Sequence, residues 1–279
     1  MRYSEIEPTA RLRPFVECFW TLQGDGSIDT SPAERILPDG CVELILNFGD
    51  RFLQHSGGEH ELQPRNFLVG QMTVPILISP CAPVELLGIR FQPGGTRPFL
   101  DVAAHEVTDR VVDLGGLSGK LERGLSHACS SARTLRDKVA AADAFLASRL
   151  SEQKYDSHLL ALAAKIIDCR GLVSVDQLAS DAGVSSRQLE RRFQREVGIG
   201  PKLLARIVRF QHVFRAVEGG NAAWADVAVA CGYYDQAHLI RDFNQFAQQT
   251  PAVLFATQSS LTESFTRKTR TSHFSNTAA

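Results

Sequence analysis

The sequence predicts an α+β protein in which a β-rich N-terminal domain, a small barrel or sandwich, precedes an all-α C-terminal domain. Val42, Leu44, Leu46 and Phe48 recur at every second position, which is the period of a strand with one face inward. Further short apolar segments, separated by Pro and Gly, continue through the first third of the chain, as in a sandwich or barrel. After about residue 117, the apolar residues recur at helical spacing instead.

The composition is typical of a globular protein. The chain has 279 residues, 44% hydrophobic and 22% charged, which predicts about two domains and excludes a largely disordered or fibrous protein. No apolar run reaches the roughly 18 residues of a membrane-spanning helix. The N-terminus has no apolar secretion signal, and the six cysteines form no CxxC pair. We therefore expect a cytoplasmic protein with reduced thiols and no membrane partner.

These patterns divide the chain into four segments. We predict a β-rich domain over 1–125, a helical connector over 126–168, the C-terminal domain over 169–256 and a flexible tail over 257–279. The tail has 11 Ser or Thr residues in 23 positions, too few apolar groups for a core. Two interpretations of the connector stay open. It is either a helix packed on its own domain or an antiparallel helix pair that forms a dimer.

The start of the C-terminal domain has the pattern of a helix-turn-helix. Ser174 can cap a short helix, and Gly183 stands where a helix ends in a left-handed residue. A second helix follows, with Leu189, Phe193 and Val197 four residues apart on its buried face and polar or basic residues opposite. In a helix-turn-helix, the second helix enters the major groove of DNA.

A similar pattern recurs about fifty residues further along. The repeated positions are Ala179, Gly183, Leu189, Phe193 and Pro201 in the first copy, and Ala228, Gly232, Leu239, Phe243 and Pro251 in the second. A repeated unit is a more specific signal than a single one. Residues 201–217 have the pattern of a helix that links the two copies. One residue is inserted near Tyr233 and Tyr234. We expect these rings, and Trp224, to pack in the core or turn rather than to stack on single-stranded nucleic acid.

Basic residues are concentrated in the first copy and the linking helix. Between Arg187 and Arg215 there are eight basic residues and two acidic ones, a local charge of +6, although the whole chain has a net charge of −1. Such a local stripe can bind a polyanion even when the chain is neutral overall. The second copy, from Asp226 to Pro251, has one Arg and three Asp. We expect the first copy to supply more of the electrostatic affinity.

These motifs together resemble the AraC/XylS family of bacterial transcription regulators. The resemblance rests on the segments 183–185, 189–201, 228–233, 238–243 and 250–251, about a third of the chain. It implies two helix-turn-helix units joined by a linker helix, whose recognition helices enter successive major-groove segments on one face of DNA. Two departures are Gln248, where the family usually has Gly, and Asn244-Gln245, where it usually has basic residues.

The N-terminal part resembles, less specifically, the β-rich sensor regions that accompany this unit. The segments that carry this resemblance are 35–45, 69–71 and 88–95. The resemblance implies a role in effector binding or dimerisation. It also favours activation through contact with RNA polymerase, although repression by occlusion is equally compatible with these residues.

The outward positions of the two recognition helices are the expected base contacts. They are Arg187, Glu190 and Arg191 in the first helix, and Gln236 and Arg241 in the second. Arg can donate twice to guanine, and Glu can accept from cytosine. The expected phosphate contacts are Arg192, Arg195, Arg206, Arg209 and His238.

The β-rich domain leaves a second class of function open. A metal-binding or catalytic cupin-like domain fused to the DNA-binding unit would use His55, Glu59 and His60 as ligands, but these flank Gly57-Gly58 and indicate an exposed hairpin tip. No catalytic motif such as GxSxG is present. We expect Cys18 and Cys41 to be buried thiols.

Three residues are candidates for effector binding. They are Arg35, Glu43 and Arg90. Either Arg35 or Arg90 pairs with Glu43 for structural reasons, or one of these arginines binds a ligand carboxylate or phosphate. From the sequence we predict a double-stranded DNA-binding transcription regulator with no enzymatic activity, metal or cofactor. A small-molecule effector, RNA polymerase and a second copy of the chain are its candidate partners.

Overall fold

The computed structural model describes residues 1–24, 33–56, 58–81, 83–150, 155–217 and 223–257. The strands are β1 (Arg2–Ile6), β2 (Val16–Gly24), β3 (Glu34–Ile36), β4 (Val42–Asn47), β5 (Leu53–Ser56), β6 (Glu59–Leu62), β7 (Asn66–Val69), β8 (Ile76–Ser79), β9 (Val84–Phe91) and β10 (Val111–Asp113). The helices are α1 (Leu114–Cys129), α2 (Leu135–Arg149), α3 (Ser157–Asp168), α4 (Val175–Asp181), α5 (Ser186–Glu196), α6 (Pro201–Ala216), α7 (Trp224–Ala230), α8 (Gln236–Phe246) and α9 (Pro251–Thr257). A short 3-10 helix spans Ala104–Val107. Apart from Thr257, the expected flexible tail lies outside the described residues.

The N-terminal strands form two sheets, which confirms the β-rich domain. The larger sheet has the order β1-β2-β9-β4-β7-β10, and the smaller one has the order β3-β8-β5-β6. The paired strands are antiparallel. The strands are joined by turns, as the Pro and Gly residues indicate. One of these turns is at Gly40, where φ is +88°.

Strand β4 is buried on both faces. Val42, Leu44 and Leu46 pack in one apolar cluster with α1 and α2, whereas Ile45 packs in a second cluster between the sheets. The period of two was therefore predicted correctly, but the opposite face is also covered. This explains why an apolar Ile stands among the residues expected to be polar. Glu43 lies on that second face, where it lines a cavity.

Helices α1 and α2 cover the outer face of the larger sheet. Leu121, Leu125, Val139 and Leu146 are fully buried in the same cluster as β4. An ion pair from Lys138 Nζ to Glu85 Oε1, 3.1 Å long, joins α2 to β9. Helix α3 differs, because its apolar side chains belong to the C-terminal core. The dimer interpretation of the helix pair stays a prediction.

The C-terminal core encloses both predicted units. Leu189, Phe193, Phe210, Phe214 and Phe243 are each at most 1% exposed in one cluster. Burial of large aromatic and aliphatic groups is the main term that holds such small helices together. The all-α C-terminal domain with two helix-turn-helix units and a linking helix is confirmed.

The local signals of the two units are also present. In the first, the Ser174 hydroxyl accepts from the Gln177 amide, and Gly183 has a φ of +62°. Ser185 and Gln188 form a capping box at the start of α5. In the second unit Asp235 caps α8, because its carboxylate accepts from the His238 amide at 2.7 Å.

The expectation for the three aromatic side chains of the second unit was right for two of them. Tyr233 is 4% exposed, and Trp224 packs against Phe255 with ring centroids 5.5 Å apart. Tyr234 is 91% exposed, so its predicted packing in the core or turn is wrong. It occupies the inserted position just before the cap of α8, and Tyr233 already fills the core below the turn.

Candidate nucleic-acid interface

Helix α5 presents two arginines to solvent. Leu189 and Phe193 are completely buried, so the opposite face of the helix points outward. Arg187 and Arg191 lie on this outer face, one turn apart, and both are exposed. Two guanidinium groups at this spacing can reach neighbouring base pairs in a major groove.

Glu190 lies at the edge of the same face. It is half-buried, and its carboxylate accepts from Gln194 Nε2 at 3.3 Å. A Cβ atom on Gly200 would lie 2.0 Å from Glu190 Oε1, so the carboxylate sits directly against the start of α6. The sequence placed Glu190 among the base contacts by spacing alone, which carries no information on this inward tilt.

Helix α8 presents an equivalent face with less charge. Gln236 and Arg241 are exposed. His238 is half-buried, and its ring packs edge-on to Tyr233 with centroids 5.1 Å apart. The exposed Tyr234 stands beside Gln236 at the N-terminal end of the helix, a position that sequence analysis did not assign to the interface. The signal for it was the inserted residue, which has no counterpart in the first turn.

Two of the expected phosphate contacts lie on α5. The Arg195 side chain is 65% exposed, and its Nε lies 3.5 Å from Glu196 Oε1. Arg192 instead bonds Asp156 at the start of α3, from Nε at 3.1 Å and also from Nη2. Burial raises the pKa of Asp156, but the hydrogen bonds from Arg192 and the Leu159 amide outweigh it, and the pKa falls below its ordinary value.

The two expected phosphate contacts on α6 also have partners within the protein. Arg206 donates to Asp242 Oδ1 from Nε at 3.1 Å and from Nη2 at 2.7 Å. Arg209 lies over the Tyr233 ring, 5.5 Å from its centroid, and donates to the Gly232 carbonyl at 3.5 Å. Both side chains hold α6 against the second unit.

The N-terminal domain holds the C-terminal ends of both recognition helices. Thr108 Oγ1 donates to the Gly198 carbonyl at 2.8 Å, just after α5. Arg35 Nη1 donates to the carbonyl of Ala247, the C-terminal cap of α8, at 3.0 Å. A guanidinium at a helix C-terminus also complements the helix dipole. We call the two hydrogen bonds, from Thr108 to Gly198 and from Arg35 to Ala247, the seam.

The linking helix α6 packs on the same domain. Gln211 Nε2 donates to the Pro38 carbonyl at 2.6 Å. A Cβ atom on Gly40 would lie 3.0 Å from Leu204 Cδ1, so the turn between β3 and β4 rests on α6. Leu37 is buried among the apolar side chains of the C-terminal core. The turn 38–40 therefore joins the two domains.

The effector candidates fall into two groups. Arg90 pairs with Glu43 at 2.7 Å and lies 3.6 Å from Asp39 and 3.5 Å from Glu5, whereas Arg35 reaches α8. Arg90, not Arg35, is thus the structural partner of Glu43. Burial raises the pKa of Glu43, and Arg90 only partly opposes this rise.

The residues considered for a metal lie on the β5–β6 hairpin. His55 Nδ1 and His60 Nδ1 are 2.7 Å apart, and His55 Nε2 is 2.8 Å from Ser79 Oγ. Glu59 and His60 are exposed. In the part of the chain that the structure describes, no group of three or more His, Cys, Asp and Glu side chains could hold a metal ion. Cys18 and Cys41 are buried, as expected, and burial raises the pKa of both thiols.

Two family models match the chain. One, described as a domain of unknown function (DUF6597), matches residues 4–113, and the other, described as a helix-turn-helix domain, matches residues 178–257. The second match covers α5, α6 and α8 with the exposed faces described above. Residues 178–257 are a helix-turn-helix domain, the type of domain that the resemblance to the AraC/XylS family implied. Among the described residues, no helix is long and apolar enough to cross a membrane.

The chain also matches curated proteins. It is 38% identical over 96 residues to the "Probable bifunctional transcriptional activator/DNA repair enzyme AlkA" of Mycobacterium tuberculosis. The match covers 33% of this chain and 18% of the relative, so the chain spans less than a fifth of that protein.

Two solved structures found by structural comparison have low sequence identity to this chain and TM-scores below 0.5. Wild-type ToxT from Vibrio cholerae, with a bound unsaturated fatty acid, is 9% identical, covers 93% of this chain and 100% of its own, and has a TM-score of 0.44. The AraC-like transcriptional activator CuxR is 12% identical, covers 73% of this chain and 75% of its own, and has a TM-score of 0.23.

Proposed function

We propose that this protein is a cytoplasmic transcription regulator that binds a specific site on double-stranded DNA. The observation that carries the proposal is the pair of exposed recognition faces, one on α5 and one on α8, joined by α6. Arg187 and Arg191 contact bases in one major-groove segment, and Gln236 and Arg241 contact bases in the next. Glu190, half-buried against α6, accepts from a cytosine only at the edge of the first segment.

The phosphate contacts are unevenly distributed. Arg195 at the end of α5 and His238 at the start of α8 bind phosphate oxygens. Arg192, Arg206 and Arg209 act through the protein, because their intramolecular partners hold α5 and α8 in place. This division follows from the hydrogen bonds that already occupy those three guanidinium groups.

The regulator acts as an activator that contacts RNA polymerase. The support for this is the word activator in the name of the Mycobacterium tuberculosis relative, which is 38% identical over 96 residues.

The N-terminal domain controls the DNA-binding domain through the seam. Thr108 and Arg35 hold the ends of α5 and α8 that point away from the bases. A change in the N-terminal domain that moves either donor alters the relative orientation of the recognition helices. A signal or partner then shifts the population of conformations that can bind both groove segments at once.

Selection of bound sequences from a random duplex library by the full-length chain tests DNA recognition. We expect a site with two parts, about one helical turn apart, whose affinity falls steeply with salt. Arg191→Ala and Arg241→Ala should each relax the sequence preference in one part by about 1–3 kcal/mol. Arg136→Ala, an exposed arginine on α2, is the matched control. Selection of no site by the full-length chain and by its fragment 155–257, which keeps α3 in the C-terminal core, refutes DNA recognition.

The control function has a separate test. Thr108→Val removes the hydroxyl that bonds Gly198 and keeps the shape of the side chain. We expect it to change the affinity for the selected duplex at least threefold, with the base preference intact. Thr9→Val, at an exposed threonine of the same domain, is the control. An unchanged affinity in both Thr108→Val and Arg35→Gln contradicts control through the seam.

A further inference from the structure

The N-terminal domain contains a cavity between its two sheets. Its space is about 840 Å³ when the open solvent at its mouth is included. Most of the wall is apolar and comes from strands of both sheets, with Trp20, Ile45, Phe67, Met72 and Ile76 among the lining residues. An apolar molecule, or the apolar part of one, fits such a wall.

One end of the cavity is lined by charged groups. Asp39, Glu43 and Arg90 line it together with Arg35. The Arg90 side chain is only 1% exposed, whereas the side chains of Asp39 and Glu43 are each 14% exposed. A molecule in the cavity therefore meets carboxylate oxygens rather than the Arg90 guanidinium.

The charges at this end are unbalanced. Three carboxylates, those of Glu5, Asp39 and Glu43, lie within 4 Å of the single Arg90 guanidinium. Glu17 lies close by, since the Cys41 thiol donates to its Oε2 at 3.3 Å. Even with Arg35 counted, acidic groups outnumber basic ones among the described residues at this end of the cavity. Excess negative charge beside a low-dielectric cavity is stabilised by a bound cation.

We propose that this cavity binds an apolar amine, with its ammonium group at the Asp39 and Glu43 carboxylates and its apolar part between the sheets. This proposal deepens the proposed control function and rests on it for its effect on DNA, but the binding site itself does not depend on DNA recognition. The ammonium group supplies three donors and one positive charge, which matches two accessible carboxylates.

The position of the site links the ligand to the seam. Asp39 belongs to the turn 38–40, which rests on α6, and Gln211 of α6 both lines the cavity and donates to Pro38. Arg35 lines the same cavity and donates to the end of α8. A ligand that draws Asp39 inward thus acts on the two elements that position α8.

Three ligands with the same eight-carbon chain test the charge of the occupant. Octylammonium, octanol and octanoate are titrated into the full-length chain and followed by calorimetry. We expect octylammonium to bind at least tenfold more tightly than octanol, and octanoate to bind more weakly than octanol. The two tryptophans of the chain are Trp20, in the cavity wall, and Trp224, so a Trp224→Phe variant reports binding at Trp20 by a shift of its emission.

Asp39→Asn tests the site. The asparagine oxygen can keep the hydrogen bond that Asp39 accepts from the Cys41 amide, so the turn is retained. We expect this variant to lose at least fivefold in affinity for octylammonium and to keep its affinity for octanol. Asp50→Asn is the control, since the hydrogen bonds of Asp50 come from its backbone.

Two outcomes would overturn the amine site, and a third would separate it from the control function. Octanoate as the tightest ligand, with its binding lost in Arg35→Gln, assigns the site to anions. No binding of any of the three, with Trp20 emission unchanged, shows that the cavity is not a ligand site. If octylammonium binds but Thr108→Val and Arg35→Gln leave DNA affinity unchanged, the control function fails and the amine site stands.

Discussion

Arg206 and Asp242 form an ion pair that repeats the pair of Asp156 and Arg192 with the charges exchanged. Each partner lies fifty residues after its counterpart, so the acid of the first unit is replaced by a base and the base by an acid. In the first unit the pair joins the recognition helix α5 to the start of α3, and in the second it joins the recognition helix α8 to α6. The repeat therefore preserves the interaction and not the residue types, which a search for identical residues misses.

The two pairs differ in burial, and this predicts unequal effects on stability. The Asp242 side chain is 1% exposed and that of Asp156 is 25% exposed. Asp242→Asn, which leaves the partly buried Arg206 guanidinium without its countercharge, should lower the free energy of unfolding by about 3 kcal/mol. Asp156→Asn should lower the free energy of unfolding by at most about 1 kcal/mol, because solvent screens the more exposed pair.

Urea unfolding followed by circular dichroism measures both changes. The double variant Arg206→Leu with Asp242→Leu is the control, since it removes both charges and should recover part of the loss. Equal losses in Asp156→Asn and Asp242→Asn would show that burial does not decide the strength of these pairs.

The backbone conformation of Gln248 predicts that its replacement by glycine stabilises the protein. It has a φ of +54° at the position where the first unit has Gly198, with a φ of +101°. A left-handed conformation is strained for a residue with a side chain and free of strain for glycine. Gln248→Gly should therefore raise the free energy of unfolding by about 0.5 to 1 kcal/mol, as measured by urea unfolding. Gln249→Gly, at a residue without a positive φ, should lower it by a similar amount, and a loss in both variants would contradict the argument.

Tyr234 predicts an additional contact of the second unit with DNA. Its side chain is 91% exposed at the N-terminal end of α8, where a phenol can donate to a phosphate oxygen. Tyr234→Phe should weaken binding about threefold, and equally for all sequences, because a phosphate contact carries no base preference. Tyr155→Phe, at a ring that packs on Phe15, is the matched control in a fluorescence anisotropy titration. A loss confined to some sequences would assign Tyr234 to base recognition instead.

The lowered pKa of His212 predicts that the C-terminal domain becomes less stable in mild acid. Burial and then the nearby Arg170 and Arg215 lower the pKa of this half-buried histidine below its ordinary value of about 6.5. The unfolded chain then takes up a proton before the folded chain does, so stability is fully present above the unfolded pKa and falls as the pH drops through it. Thermal unfolding between pH 7.5 and 5.5 measures this, and His212→Gln should flatten the slope. An unchanged slope in that variant would exclude His212 as its source.

Periodicity and short apolar runs predicted several elements of the fold, because those elements depend on local spacing, but they did not predict β1, β2, β3 or β10. The strands β4, β7, β8 and β9, the capped helices α4 and α5 and the linking helix α6 all follow from residues close together in the sequence. Glu43 and Ile45 show the limit of such patterns. A period of two reveals the two faces of a strand, but only the second sheet and its cavity show that both are covered.

The candidate interface was predicted less completely. Exposure of Arg187, Arg191 and Arg241 agrees with helical spacing, although their contact with bases stays a prediction. The partner of Arg192 lies 36 residues away, and that of Arg35 lies 212 residues away. Contacts of this range depend on how the domains pack together, which no local pattern contains.

The N-terminal domain is hydrogen-bonded to the C-terminal ends of both recognition helices, and this limits which DNA sites the proposed regulator can bind. Thr108 and Arg35 belong to the same domain, so the separation and mutual rotation of α5 and α8 are set before DNA is met. A changed base within one part of the site then removes a contact and leaves the rest in place. A single base pair inserted between the parts rotates the second part by about 35° around the duplex axis and moves all its contacts out of reach. Operators for this protein are expected to vary in sequence and to be constant in length.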